Sequence, residues 1–229
     1  MLSREPKQIN LKYIIPLSLL YLTIYLAADA VAYKMVTLGP LLVAGPPCIF
    51  PLSYAIADII AEVYGYTQAK KILLLTLFFQ FLYAILVTVV LNLSSPEFWT
   101  LQDAYNQVFG NLLRFVSAGF FAVLSSHFIN IYIFSKWKIL LKGKYFWIRS
   151  VGSSAIGGLV LVGVIMIFGY SGTVDFNAAI KMFFSIYLLE LVYACILAWP
   201  AGLISGFLKI KEGLDVYDIH TNFNPFSFK

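Results

Sequence analysis

The chain has 229 residues, 61% of them hydrophobic and 12% charged, with a net charge of +5 and a mean hydropathy of +0.85. Soluble domains carry about 25% charged residues, so this composition excludes a soluble globular domain and makes lipid the main solvent; 20 Phe and 15 Tyr suit interfaces and cavity linings. The basic residues form short clusters between apolar segments and no continuous stripe, which excludes nucleic acid as a partner.

Six apolar runs follow in chain order, at residues 11–33, 42–64, 72–93, 112–134, 147–170 and 178–207. Each is long enough to cross a hydrocarbon core that needs about 20 helical residues. The expected fold is therefore all-α: a polytopic membrane protein of six transmembrane helices in a single membrane domain. The first run follows Arg4, Lys7 and Lys12, and Ala28, Ala30 and Ala32 give it the look of a signal peptide with a cleavage site. Signal cores are only about 7–15 residues long, so a membrane helix is the expectation here. Ahead of the second run, Gly39, Pro40, Gly45, Pro46, Pro47 and Pro51 forbid a regular helix and predict a re-entrant or cavity-lining piece.

Alternating the loops puts Arg4, Lys7, Lys12, Lys70, Lys71, Lys136, Lys138, Lys142, Lys144, Arg149, Lys209, Lys211 and Lys229 on one side, and Glu97, Asp103 and Asp175 on the other. The positive-inside rule makes the basic side cytoplasmic and brings both termini there; the expected location is the cell (inner) membrane. Ala194, Ala198, Gly202 and Gly206 recur every four positions in the last run, and Ser154 and Gly158 repeat the spacing in the fifth. Stripes of this kind serve internal helix packing or a homodimer interface. Cys48 and Cys195 lie far apart in apolar stretches and read as small packing residues, offering neither a disulfide framework nor a metal pattern.

An ionisable group at mid-membrane costs about 2.5–3.5 kcal/mol on insertion scales, so each needs a partner, a wet cavity or a function. Asp29 falls in the first run, Asp58 and Glu62 in the second, Arg114, His127 and Asn130 in the fourth, and Lys181 and Glu190 in the sixth. Asp58 and Glu62 are four apart and share a helix face; they suit a cationic or donor-rich ligand, or else salt bridges to Arg114 or Lys181. His127 and Asn130 read as packing residues joined by interhelical hydrogen bonds. Tyr64, Tyr66, Tyr187 and Tyr193 suit aromatic belts. No phosphate-binding loop is present, since Tyr145 follows Gly143 and Lys144 where Ser or Thr is required, and there is no His-Glu-x-x-His motif. No cofactor or metal is expected. A lipid-directed intramembrane enzyme built on His127 has only a single histidine to support it.

The stretch from Pro51 to Ile72, PLSYAIADIIAEVYGYTQAKKI, resembles the central motif of the queuosine-precursor transporter family, also called vitamin uptake transporters. Pro200, the run LKIKEGLDVYD from Leu208 to Asp218, and NFNPF from Asn222 to Phe226 resemble the family's C-terminal signature. The resemblance implies a bundle like the substrate-binding S-components of energy-coupling-factor importers, working without the ATPase module. It further implies import of a 7-deazaguanine such as preQ0, preQ1 or queuine. The alternative is a binding subunit for another vitamin-like heterocycle that delivers it with an ATPase partner. The chain departs from the family pattern at His127 and Asn130, where many members carry Gln and Asp, and at Gly158 and Leu161, where Asn and Asp are common. A carboxylate accepts the two adjacent N–H donors of a guanine-like edge side by side, and aromatics stack on its face. Asp58 or Glu190 is expected to read that edge, and Glu62 or Asp29 to meet a positive group or a proton. Tyr64, Arg114, His127, Asn130 and Lys181 complete the expected binding set.

Overall fold

The computed structural model describes residues 11–39, 41–169 and 175–224. In the first helix, α1 (Ile14–Ala30), Leu17, Tyr21, Ile24, Tyr25, Ala28 and Asp29 repeat every three or four positions and form its buried stripe. The chain then leaves the helix for an antiparallel hairpin of β1 (Met35–Leu38) and β2 (Leu41–Ala44), with Met35 opposite Ala44 and Leu38 opposite Leu41. Gly39 turns at φ +59°, a conformation open to glycine without a Cβ clash. Pro46–Cys48 forms a 3₁₀ turn, and Pro51 opens α2 (Pro51–Tyr64) at the position where a missing N–H costs nothing.

The second expected span, residues 42–64, is thus only partly helical, because the glycines and prolines break it as their chemistry demands. Its helix has 14 residues, and 11 of them are buried. A helix buried nearly all round is a central element; α2 packs against α1, α3, α5, α6 and α7.

At Gly65, with φ +84°, α2 breaks directly into α3 (Tyr66–Leu91), six residues earlier than the run at 72–93 implies. α4 (Gln102–Phe109) is a short helix with no buried residue. α5 (Leu112–Leu140) outruns its expected end at residue 134 by six residues. α6 (Phe146–Gly169) matches the fifth run up to residue 169, residue 170 lying outside the described residues. α7 (Phe176–Glu212) has 37 residues, which at 1.5 Å each is about 55 Å against a hydrocarbon core of about 30 Å. Pro200 interrupts it, removing one ladder hydrogen bond.

Among the described residues, four helices are long and apolar enough to cross a membrane: Tyr66–Leu91, Gln102–Leu140, Phe146–Ile167 and Ala179–Glu212. At most 39% of any of their apolar windows is buried inside the protein. Phe78, Leu86, Val90, Phe184, Trp199 and Phe207 all point outward. So much outward apolar surface is stable only in lipid, and the chain is an all-α membrane protein. α1 is not a detached leader, for Tyr21, Tyr25 and Asp29 lie in the bundle core. Cys195 is exposed on α7 rather than a packing residue, while Cys48 is half-buried. The small-residue stripe of α7 packs internally at Ala198, which is buried, and at Gly202, which faces Phe146; nothing lies within 4 Å of Gly206 where a Cβ would sit.

After Gly213 caps α7 at φ +65°, residues 214–224 fold back across the end of the bundle. Asp218 accepts the backbone N–H of Tyr66 at 2.9 Å, which satisfies a first-turn donor of α3. The Tyr66 hydroxyl donates to the Phe223 carbonyl at 3.0 Å, Lys70 donates to the Asn224 carbonyl at 3.2 Å, and Lys136 lies 4.0 Å from the centre of the Phe223 ring. Val216 packs onto Gly65, where a Cβ would come within 2.7 Å of its Cγ1. Replacing Gly65 by Ala combines that clash with a left-handed φ. It is expected to cost about 1–3 kcal/mol, read as a lower unfolding midpoint of the purified protein in detergent.

Candidate functional site

α2 presents its two carboxylates to different surroundings. Asp58 is fully buried and accepts hydrogen bonds from Asn130 Nδ2 of α5 at 3.0 Å and Ser150 Oγ of α6 at 2.6 Å. Ser154 Oγ donates to Asn130 Oδ1 at 3.5 Å, so the amide is oriented with its NH₂ toward Asp58. Ser126 donates its one proton to the Gly157 carbonyl at 2.8 Å, and the Tyr54 hydroxyl therefore donates to Ser126. Gly157 allows this approach, since a Cβ there would stand 3.1 Å from the Tyr54 ring and 3.2 Å from Asn130.

His127 is stacked on Tyr54 with centroids 4.3 Å apart. Ser53 Oγ gives its proton to the Phe50 carbonyl at 2.6 Å, so His127 Nε2–H points at Ser53 over 3.4 Å. Nδ1 accepts from Tyr21 at 2.9 Å, and Tyr21 in turn accepts from Tyr25 at 3.0 Å. Both ring nitrogens are thereby engaged, and among the described residues no carboxylate touches the ring. The packing role expected for His127 and Asn130 accounts for these contacts, with Asn130 also holding Asp58.

Across from Asp58, α7 supplies Glu190, which is 8% exposed. It lines a cleft with Pro51, Tyr54, Ala55, Ser150, Ser154, Ala194 and Leu197, where the space open to a water's centre is about 10 Å³. That is room for about one water. Gly158 faces the Glu190 carboxyl, and a Cβ there would collide with Oε2. Glu190 Oε2 is enclosed and has no hydrogen-bond partner.

Glu62, one turn from Asp58, sits in a dense ionic cluster. Arg149 of α6 forks onto it, with Nη1 at 2.7 Å from Oε2 and Nη2 at 3.2 Å from Oε1, and Lys209 of α7 reaches Oε1 at 2.5 Å. Lys138 of α5 donates to the Glu62 carbonyl at 2.6 Å, to Asp215 at 2.7 Å and to the Val216 carbonyl at 2.7 Å; Lys209 also pairs with Asp215 at 2.9 Å. Arg149 further donates to the carbonyls of Lys144 and Gly143, which a turn with positive φ at Lys142, Gly143 and Tyr145 aims at it.

This geometry corrects the expected pairing. Arg114 and Lys181 are both exposed and make no ion pair among the described residues. Arg114 lies 24 residues before Lys138 on one helix, about 36 Å away at 1.5 Å per residue. The cations that meet Glu62 are Arg149, Lys138 and Lys209, which the alternation of loops assigns to the basic side. The signal for Arg149 was present, because it falls inside the run 147–170. Asp29 accepts two contacts from the Gln80 amide, at 3.0 and 2.8 Å, and is not among the residues lining the Glu190 cleft. Tyr64 donates to Glu212 at 2.9 Å, Tyr187 to the Ala155 carbonyl and Tyr193 to the Cys48 carbonyl, so these tyrosines tie elements together. Of the expected set, Glu190 lines the cleft, while Asp58, Asn130 and His127 lie buried behind its lining residues Ser150, Ser154 and Tyr54. The structure places Glu62 and Tyr64 just below, at the strap, and leaves Asp29, Arg114 and Lys181 elsewhere.

The helices that build this chamber carry a recognisable family pattern: a family model described as "Putative vitamin uptake transporter" matches residues 47–204, more than two thirds of the chain. The chain belongs to the vitamin uptake transporter family. No curated protein and no solved structure matches it. In this family member the matched range runs from the 3₁₀ turn through the chamber-bearing parts of α2, α5, α6 and α7, while the strap of residues 214–224 lies beyond it.

Two outcomes separate the ion cluster from the chamber. Glu62→Gln leaves Arg149 buried without its ion-pair partner, and is expected to cost this transporter about 3–5 kcal/mol of stability, seen as loss of folded protein in detergent. The Asp215 carboxyl, despite the upward pull of partial burial, is held below its ordinary value of 3.8 by hydrogen bonds and charge from Lys138 and Lys209. A carboxyl held low contributes stability above its ordinary value and loses it as the pH falls through the folded one. Asp215→Asn is therefore expected to lower the unfolding midpoint at neutral pH, with the gap to the wild type closing once the pH drops below 3.8.

Proposed function

We propose that this transporter imports a queuosine precursor, a 7-deazaguanine such as preQ0, preQ1 or queuine, into the cytoplasm by alternating access, without an ATPase of its own. The observation that carries the reading is the chamber between α2, α6 and α7, lined by Glu190, Tyr54, Ser150 and Ser154, with the buried Asp58 behind Ser150 and hydrogen-bonded to it. A flat heterocycle with adjacent N–H donors needs these groups: a carboxylate to accept a pair of donors and an aromatic face to stack on. The chamber holds about one water in the present state, so admission of a bicyclic base requires α7 to separate from α2 and α6. The resemblance of the Pro51–Ile72 motif and of the C-terminal run to the queuosine-precursor branch supports the substrate class. The basic cluster at the strap end supports a cytoplasmic placement of that end by the positive-inside rule.

Uptake of radiolabelled 7-deazaguanine precursors into proteoliposomes holding this chain alone tests the reading, with guanine as competitor. Asp58→Asn is expected to weaken binding about ten- to a hundred-fold, the loss of one hydrogen bond to a charged group. An Asp58→Asn protein that folds, reaches the membrane and transports normally would overturn the site. Uptake that appears only when an ATPase partner is added would overturn the stand-alone mechanism.

A further inference from the structure

Among the described residues, four carboxylates lie buried in the helices, and three of them are satisfied. Asp29 has the Gln80 amide, Asp58 has Asn130 and Ser150, and Glu62 has Arg149 and Lys209. Glu190 accepts no hydrogen bond and forms no ion pair among the described residues, and its Oε2 is sealed from solvent.

The hydroxyls beside it cannot repair this. Each has a single proton, and each proton is already placed: Ser150's on Asp58, Ser154's on Asn130, and Tyr54's on Ser126. Each oxygen still has lone pairs to offer. The cleft is thus rich in acceptors and empty of donors, a setting hostile to a carboxylate ion and suited to a carboxylic acid that can donate. The titratable and charged groups around Glu190 do not alter this. α2 contributes Tyr54 and, behind Ser150, Asp58, a second acid and no cation. α6 contributes only Ser150, Ser154 and Gly158 at the cleft, Arg149 being turned to Glu62. The 3₁₀ turn contributes Cys48, and α7 itself Tyr187 and Tyr193, whose hydroxyls are bound to backbone carbonyls.

We infer that Glu190 is the proton-exchanging residue of the chamber: it is protonated in the closed, empty state and gives up that proton when a ligand bearing N–H donors or a cationic group binds. The O–H bond of the carboxylic acid breaks, the proton leaves to water through the opened cleft, and the carboxylate accepts the ligand's donors. Ligand binding is then coupled to proton release, which assigns the transporter a site for the proton as well as for the base. Gly158 is part of the device, since the space it leaves is filled by the Glu190 carboxyl. The identity of the ligand rests on the proposed function above; the protonation of the empty protein does not.

Infrared difference spectroscopy of the purified full chain at neutral pH tests the empty state. The wild-type minus Glu190→Gln spectrum is expected to show the C=O stretch of a protonated carboxyl. A carboxylate stretch in its place would overturn the inference. Because Gln is also neutral, the variant is expected to unfold at the wild-type midpoint at neutral pH, and a large shift would count against a neutral Glu190. Calorimetric titration with the nitrile 7-deazaguanine in two buffers of different ionisation enthalpy tests the exchange. The wild type is expected to release a proton for each ligand bound, and Glu190→Gln to release none. Ligand binding by the wild type with no buffer dependence would overturn proton exchange. Absence of binding by any precursor would sink the substrate assignment instead, and the infrared band would still decide the proton.

Discussion

The structure depends on Glu62. At 14 residues, α2 is too short to anchor itself at both membrane faces, and it is buried on nearly every side, so neither lipid nor water fixes its height. Its carboxylate does so instead by drawing Arg149 from α6, Lys138 from α5 and Lys209 from α7 to one point. Three long helices are thereby held in register against the short one. A buried ion pair gives modest net stability once desolvation is counted, and its better attested use is to specify an arrangement, because breaking it strands a charge. Asp58 then sits one turn away, about 6 Å along the axis, at a depth the ion cluster has already determined. The strap adds a second layer: Asp215 shares Lys138 and Lys209 with Glu62, and Asp218 covers the start of α3.

Three carboxylates of one chemical class take different parts because of their neighbours. Glu62 meets cations and is structural. Asp58 meets the neutral donors of Asn130 and Ser150. Glu190 meets acceptors only. The difference between the last two comes from where each neighbouring hydroxyl sends its single proton: Ser150 to Asp58, Ser154 to Asn130 and Tyr54 to Ser126, none of them to Glu190. These donors therefore leave one carboxylate satisfied and the other in need.

Much of this was legible in the sequence, for stated reasons. The apolar runs give the helices because lipid demands about 20 apolar residues per crossing, and the prolines and glycines at 39–51 announce the break that shortens α2. The four-residue spacing of Asp58 and Glu62 places both on one face. What periodicity cannot supply is which helix lies opposite that face. Arg114 and Lys181 fall inside apolar runs, as Arg149 does, yet they lie at the far ends of α5 and α7. Arg149, Lys138 and Lys209 look like ordinary flanking charges until the packing of α5, α6 and α7 on α2 brings them together. The two family motifs likewise read as separate signatures, although Tyr64, Gly65, Tyr66 and Lys70 of one meet Glu212, Val216, Asp218, Phe223 and Asn224 of the other. Glu190's isolation is invisible in one dimension, since it depends on the rotamers of hydroxyls from three helices.

The polar contacts along α7 differ on the two sides of Pro200. Beyond Pro200 toward the strap, α7 is bound by Lys209 to Glu62 and Asp215, and by Glu212 to Tyr64 and the backbone of Tyr13. Before Pro200, its side-chain hydrogen bonds to other elements, among the described residues, are those of Tyr187 to the Ala155 carbonyl and Tyr193 to the Cys48 carbonyl. Separating the first region from α2 exposes buried charges; separating the second breaks neutral hydrogen bonds and apolar contacts that lipid can replace. Pro200, with its missing ladder bond, stands between the two regions, where a helix bends most readily. Glu190 lies on the side held by neutral hydrogen bonds and Lys209 and Glu212 on the side held by charge, so Pro200 separates two differently bound parts of one helix.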